Sequence, residues 1–340
     1  RAAGNATGWN VTTDLENMKV TVTTQRRGIK AQLKVTLLRN DNSEITTSRI
    51  IVFSHEVGVN GAYTVYSADG LYAWAEAAKT TPGLDCTLGN DITMPNAPEG
   101  GSNWTPVDNY SGTFDGAGHA ISNVVINGGD YVGFFGRSPG TVKNLNLTNA
   151  EINGSNYVGG IAGMNRGDGN IIACSVSGST INGNHDLGGI AGYNNGGNIT
   201  ACSVSGGTIT GSFDLGGIAG FSYGGNITAC SVSGSTINGE YQVGGIVGYN
   251  FKNITACYTT ADVKGNSSTG AFAGANNGGI TAGYWQTDTP NQAIGSGNSS
   301  GVTKVEGGVT WKDATGVMNA AIPTDGSCPY RYVQRDGDNN

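Results

Sequence analysis

Two carboxylates raise the question of what chemistry this chain can do. Asp186 and Asp214 fall at the same place in two successive copies of a repeated phrase, HDLGGIAGYN and FDLGGIAGFS, with His185 beside the first. Acidic side chains brought that close can share a proton, bind Ca²⁺ or act as an acid–base pair on a polysaccharide. The surroundings argue against catalysis. The same position in neighbouring copies reads Tyr131, Tyr157 and Gln242, a series of solvated turn residues, and no Lys or Arg in these coils can serve as a base or clamp an acidic sugar. His119 reads as a turn or packing residue. Three histidines without Ser/His/Asp spacing give nucleophilic catalysis no support. The repeated Gly-Gly-Ile-Ala-Gly phrases are followed by neither a helix nor a Lys, so they are not phosphate loops. The expectation is no catalytic residue, no metal and no cofactor.

Aromatic side chains offer a milder chemistry. Tyr131 and Tyr157 recur on neighbouring coils, with Phe213 and Tyr241 one position earlier on later coils. A second column, Met164, Tyr193, Phe221 and Tyr249, follows the Gly-Gly-Ile-Ala-Gly strand. An exposed aromatic row can lie against the apolar faces of sugar rings, whereas a covered one only packs a corner. The ligand-contacting candidates are therefore Tyr131, Tyr157, Asp186, Asp214, Phe213 and Tyr241.

The elements that position these residues come from one repeat. Between Asn170 and Asn250 the phrase NIIACSVSGSTINGNHDLGGIAGYN returns three times with small changes, and Cys174, Cys202 and Cys230 stand 28 residues apart. A fixed period of this size is the signature of a stacked solenoid. Within a repeat, Ile199, Cys202 and Val204 mark one buried strand face, and Ile209, Leu215 and Ile218 belong to further short strands between Gly and Asn clusters. No stretch has room for a ten-residue helix in these coils. The pattern predicts an all-β right-handed parallel β-helix of seven or eight coils.

Superposed repeats give the core columns. They are Leu145, Cys174, Cys202, Cys230, Cys257; Leu147, Val176, Val204, Val232, Thr259; Ile126, Ile152, Ile181, Ile209, Ile237, Val263; Val132, Val158, Leu187, Leu215, Val243; and Phe135, Ile161, Ile190, Ile218, Ile246, Phe272. A polar column of Asn170, Asn198, Asn226 and Asn253 is expected to hydrogen-bond from coil to coil. The cysteines form a buried free-thiol ladder in this reading: side chains in register across parallel strands do not suit a disulfide's dihedral, and four thiols in a row do not make a tetrahedral metal site.

The flanks differ in composition. Residues 1–62 carry more charge and no repeat; alternation in 18–22 and 29–37, a turn at Asn40–Ser43 and a return over 48–53 predict a small antiparallel β unit of three to five strands, sandwich-like. The solenoid then spans 63–310. A helix near 70–78, with Asp69 as its cap, is expected to cover its open end, and Cys86 is placed in the thiol column. Residues 311–340 read as a closing helix, weakened by Gly316, and a final strand at Tyr330–Val333.

Charged residues make up only 13% of the chain, Gly is 58 of 340, and the net charge is −7. A chain with no basic cluster beyond Arg26-Arg27 is not built for nucleic acid, and no apolar run is long enough for a membrane span. Arg1 in place of an initiating Met reads as a processed, mature start.

The heptad Tyr157–Gly163 and its copies at Leu187–Gly192, Leu215–Gly220 and Val243–Gly248 resemble the GLUG repeat of bacterial surface proteins, among them adhesins with fimbrillin-like partners and the non-catalytic part of some IgA-cleaving proteases. The entry phrases Leu71–Ala75, Leu88–Ile92 and Tyr110–Ile121 are similar to the first coils of such proteins, and the likeness covers about residues 68–322. The resemblance implies an exported protein of the cell surface, outer membrane or extracellular space. Its partner would be a surface glycan or a host or bacterial surface protein, bound without catalysis. A β-helical polysaccharide lyase or hydrolase, and a structural stalk or pilus component, are the alternatives.

Overall fold

The computed structural model describes residues 55–333, except Val59, together with the backbone of four earlier strands. Those four make two antiparallel pairs, Trp9–Asp14 with Lys19–Thr24 and Lys30–Leu38 with Glu44–Val52. The predicted turn at Asn40–Ser43 and Phe53 lie outside the described residues, as do the side-chain contacts a sandwich would need. His55–Val57 and Tyr63–Val65 already belong to the solenoid, since Tyr63–Val65 pairs in parallel with Cys86–Leu88.

From there to Lys304 the chain is a parallel β-solenoid of about seven turns with coils of about 28 residues. Each full coil contributes one short strand to each of five sheets. Taking the coil after Asn170, the strands are Asn170–Ile172 (sheet 1), Ser175–Ser177 (sheet 2), Thr180–Asn182 (sheet 3), His185–Gly188 (sheet 4) and Ala191–Asn195 (sheet 5). Parallel pairing brings Val176 onto Val204 and Ile181 onto Ile209, so every inward side chain sits on a near copy of itself.

Single residues in the left-handed region turn the corners. One corner column is Asn144, Ala173, Ala201, Ala229, Ala256 and Ala282, with φ between 51° and 55°. Alanine at such an angle is strained by about 1–3 kcal/mol, and it persists because pairing on both sides fixes the backbone.

The columns largely follow the repeats, with two shifts. Cys86 pairs with Phe114 in sheet 1, in the column that continues as Val142, Ile171 and Ile199, so it is not in the thiol row. Cys86 stands one 28-residue step before Phe114, whereas the thiol row lies three residues further along each coil, as Cys174 does from Ile171 and Cys202 from Ile199. Phe135 pairs with Ala162 in sheet 5, whereas the backbone bond of Phe134 to Gly160 aligns Phe134 with Ile161. Two adjacent phenylalanines left the register ambiguous by one.

All six cysteines are buried and free. The thiol row also has a polar task. The N–H of Cys202 donates to Cys230 Sγ at 3.4 Å, that of Cys230 to Cys257 Sγ at 3.3 Å, and each thiol faces a nearby carbonyl such as Thr200 O. A peptide N–H that the corner turns inward is thus satisfied by the sulfur of the next coil. Burial raises the Cys174, Cys202 and Cys230 thiols well above their usual range, which keeps them protonated and inert.

The ends are covered unequally. Helix α1, Ala68–Thr80, is capped by Ser67, whose side chain accepts from Gly70 N–H; Asp69, expected as the cap, lies in the first turn. α1 buries Leu71, Trp74 and Ala78, and Trp74 packs against Tyr110, Phe114 and Phe135 over the first coils. Helix α2, Trp311–Ala321, starts with a Thr310/Asp313 capping box. Its buried Ala314 and Met318 join Ala229, Ala256 and Tyr284 in a cluster separate from the main core, so α2 covers a flank of the last coils. The expected final strand does not form. Instead, Asn319 holds both backbone groups of Tyr332, whose hydroxyl donates to the carbonyls of Cys230 and Ala256.

The predicted Asn170 column is in register but lies at the surface, half-buried at Asn170 and exposed at Asn198, Asn226 and Asn253, with a side-chain contact of 3.5 Å between Asn198 and Asn170. The tight amide ladder is elsewhere, in sheet 5, where Asn165, Asn194, Ser222, Asn250 and Asn276 are all buried. Asn165 Nδ2 donates to Asn194 Oδ1 at 2.9 Å, and Asn250 Nδ2 to Asn276 Oδ1 at 2.8 Å. Ser222 breaks the ladder and leaves Asn194 Nδ2 without a partner. The next coil supplies the reason. A Cβ on Gly197, Gly225 or Gly278 would press on the amide of Asn165, Asn194 or Asn250, and the residue at this place after Ser222 is Lys252. Ser222→Asn alone is therefore expected to overpack and cost about 1–3 kcal/mol. Adding Lys252→Gly should recover that loss and give Asn194 an acceptor, a coupling that thermal melts of the two singles and the double will read.

Candidate functional site

Sheets 4 and 5 pack on each other with almost nothing between their backbones. A Cβ placed on Gly192 would overlap the backbone of Tyr157 and Val158; on Gly220 it would overlap Asp186 and Leu187, and on Gly248, Asp214 and Leu215. This approach lets the chain leave along sheet 4 and return along sheet 5. It also brings two side-chain columns together on the same edge of the solenoid.

The first is the left-handed column of sheet 4: Tyr131, Tyr157, Asp186, Asp214, Gln242 and Ser268, with φ between 50° and 59°. Asp tolerates this conformation; a tyrosine in it is uncommon. The second, in sheet 5, is Arg137, Met164, Tyr193, Phe221 and Tyr249. Contacts cross between them. Tyr131 stacks on Tyr157 at 4.7 Å and 10°, and Tyr157 meets Tyr193 at 5.7 Å and 25°. Tyr193 is edge-on to Phe221, which touches Tyr223, Tyr249 and Phe251. Seven rings thus form one continuous stripe, and Tyr223, 54% exposed, stands out furthest.

Of the six residues singled out by sequence, Tyr131, Tyr157, Asp186 and Asp214 share this column. Phe213 and Tyr241 lie one residue away, in a second ladder headed by His185: the rings stack at 4.6 Å and 5° for His185–Phe213, and at 5.0 Å and 8° for Phe213–Tyr241. Stacking along the solenoid axis turns ring faces toward one another. Tyr131 carries Tyr157 on its ring and Arg137 at 5.2 Å, and Arg137 is also paired with Asp108. A ligand therefore meets mainly edges and hydroxyls of Tyr131 and Tyr157. Tyr223, Phe251 and Arg137 were not singled out, although counting forward from each Gly-Gly-Ile-Ala-Gly strand would have placed the first two beside Phe221 and Tyr249.

Asp186 and Asp214 are half-buried and stacked on adjacent coils, held there by the pairing of His185 with Phe213 and of Leu187 with Leu215. Burial first, and the negative charge of Asp214 next, push Asp186 up to about 7; burial pushes Asp214 up to about 6. Tyr157 and Tyr193 are raised by burial and by the charge of Asp186, which puts both beside it. Asp214 Oδ1 is buried without a hydrogen-bond partner, and no ion pair among the described residues involves either carboxyl. His119 lies elsewhere, with Nδ1 at 3.1 Å from Asp91.

A separate open hollow of about 420 Å³ lies between α1 and residues 95–107, lined by Tyr72, Glu76, Lys79, Pro95, Pro98 and Trp104 among others. It shares no residue with the stripe. Nothing periodic marks it, which is why a reading built on repeats passes over it.

The fold and this edge define a parallel β-solenoid whose outer surface repeats with its core. Residues 183–210, 211–238 and 239–264 match the GLUG motif, so these three coils are GLUG repeats. A stretch of 95 residues, 25% of the chain, is 35% identical to halomucin of Haloquadratum walsbyi, and it spans only 1% of that protein. Among solved structures, the chain is similar to a candidate immunoglobulin A1 protease of Bacteroides ovatus. That likeness has a TM-score of 0.58 at 21% identity and covers 72% of this chain and 82% of the other. At that identity the likeness concerns the fold.

The motif's last glycine has a stated physical task here, and it can be tested. Gly220→Ala should force sheets 4 and 5 apart beside Asp186 and lower stability by about 1–3 kcal/mol. Gly129→Ala is the comparison: Gly129, like Gly220, lies outside the left-handed region, but it has open space around it. It should lose little or nothing, since neither overlap nor backbone strain opposes the added methyl. Equal losses in denaturant titrations would refute the close-packing account.

Proposed function

We propose that this is a surface or extracellular protein that works by adhesion or display, binding a glycan or a protein partner through the outer edge of sheets 4 and 5 without catalysis. The GLUG repeats and the likeness to halomucin support the location. The observation that carries the binding role is the continuous seven-ring stripe. Rings that share a surface patch keep their apolar area in reach of water while Tyr hydroxyls and carboxyl oxygens stand beside them. That combination suits sugar hydroxyls and ring faces, or the aromatic-rich centre of a protein interface.

The geometry of the carboxyls supports the non-catalytic reading over a glycoside-cleaving one. Glycosidase pairs stand about 5–9.5 Å apart, with the bond to be cut between them. Asp186 and Asp214 instead stand side by side in one column, stacked by the register of the strands, and do not face each other across a cleft that a sugar linkage could enter.

Affinity electrophoresis against neutral and acidic polysaccharides tests both points in one gel. Retardation without loss of polymer is expected, and Tyr223→Ala with Phe251→Ala should weaken it about thirty-fold, the size of a lost contact hot spot. Polymer breakdown that Asp186→Asn abolishes would overturn the non-catalytic reading. No retardation by any polymer would move the assignment from glycan to protein partner.

A further inference from the structure

We propose that Asp186 and Asp214 hold a single proton between them, one carboxyl donating to the other across the coil step, and that its loss as pH rises loosens the junction between these two coils at the centre of the stripe. Register makes the contact unavoidable. His185 pairs with Phe213 and Leu187 with Leu215, so the intervening aspartates are stacked by the sheet on either side of them. Both have the same left-handed backbone, φ 55° and 56°, and cannot turn apart without breaking the corner.

Two ionised carboxylates offer only acceptors, and none of the surrounding groups makes up the deficit. On the neighbouring coils the column supplies Tyr157 and Gln242. Sheet 5 supplies Tyr193 and Phe221, and the flanking residues of sheet 4 are His185, Phe213 and Tyr241, whose rings stack on one another. Asp130 acts on Tyr157 and adds negative charge. Of the cations on sheet 5, Arg137 is engaged by Asp108 and the Tyr131 ring, and Arg166 by Asn109. The unpartnered Asp214 Oδ1 is what an O–H on Asp186 would satisfy. One proton supplies the missing donor and removes the like-charge contact together; on deprotonation it passes to water.

The direction of the pH effect follows. Asp186 and Asp214 are raised to about 7 and about 6, above the ordinary carboxylate range. The folded state therefore binds the proton more tightly than the unfolded chain. The stabilisation is full below about pH 4 and is lost as pH rises through about 6 to 7. The proposal does not depend on what the stripe binds.

Asp186→Asn provides the test. Asn tolerates the left-handed backbone and carries a permanent donor for Asp214. The melting temperature of the wild type should fall relative to Asp186→Asn between about pH 4 and about pH 8, with the variant more stable on the alkaline side. In parallel, carboxyl ¹³C shifts of Asp-labelled wild type should show two coupled titrations, and in Asp186→Asn the remaining Asp214 titration should move down. Parallel melting profiles, or an Asp214 titration unchanged by the substitution, would overturn the shared proton. So would millimolar calcium stabilising the wild type but not Asp186→Asn at alkaline pH, since the pair would then be a cation site. If the variant fails to fold, ordinary acidic titration of both carboxyls in the wild type still refutes the proposal.

Discussion

The structure depends on one constraint: each coil lies directly on the previous one, so every side chain must tolerate a near copy of itself one strand spacing away, about 4.8 Å. Aliphatic columns meet this without cost, as Ile171, Ile199 and Ile227 do. Amides meet it by donating from one Asn to the next, and the thiols by accepting a peptide N–H from the coil before. Aromatic rings meet it by stacking or turning edge-on. A carboxylate cannot meet it while ionised. Among the described residues, Asp186 and Asp214 are thus a stacked pair whose chemistry opposes the architecture, and a proton resolves the conflict.

Much of this was legible because the constraint writes itself into the sequence as a period. The 28-residue step gave the columns of Val176, Ile181, Leu187 and Ile190, the free thiols and the outward aromatic rows. It failed where residue type was followed instead of the step: Cys86 shares its type with the thiol row but lies in the column of Phe114 and Val142, and Phe135 stands beside an equivalent Phe134. It also failed where side-chain size decides between inside and outside. Asn165 and Asn194 are fully buried, while the equally periodic Asn170 and Asn198 face water. Both sets look like turn residues, and only the strand register shows which faces the core. The Ser222–Lys252 exchange is a local correlation between coils, visible in the sequence only once their contact is known.

The GLUG phrase has a physical reading in these terms. Its glycines are not all turn formers. Gly192, Gly220 and Gly248 are small because the backbone of the adjoining sheet 4 strand occupies the place a Cβ would take. Its Ile and Leu are core columns, and the residue before the Leu is the left-handed corner. The motif therefore prescribes a thin edge made from two sheets in contact and leaves the outward residues of that edge open to variation.

That variation bears on function. The left-handed column reads Tyr131, Tyr157, Asp186, Asp214, Gln242 and Ser268 on a backbone that is the same at each position. If folding alone chose these residues, Asn or Gly would be favoured throughout, as at the corner that runs Asn123, Asn149, Gly178, Gly206 and Gly234. Tyrosine there costs about 1–3 kcal/mol of backbone strain, and the adjacent aspartates add like-charge repulsion and burial of a charge. Neither expense strengthens the solenoid, whose core columns are already filled on the other side of the same strands. The alanine corner carries similar strain with a side chain too small to reach outward; bulky tyrosines held in strain on an outward column, in contact with a continuous row of rings, are the pattern expected when an edge is kept for what it touches outside the molecule.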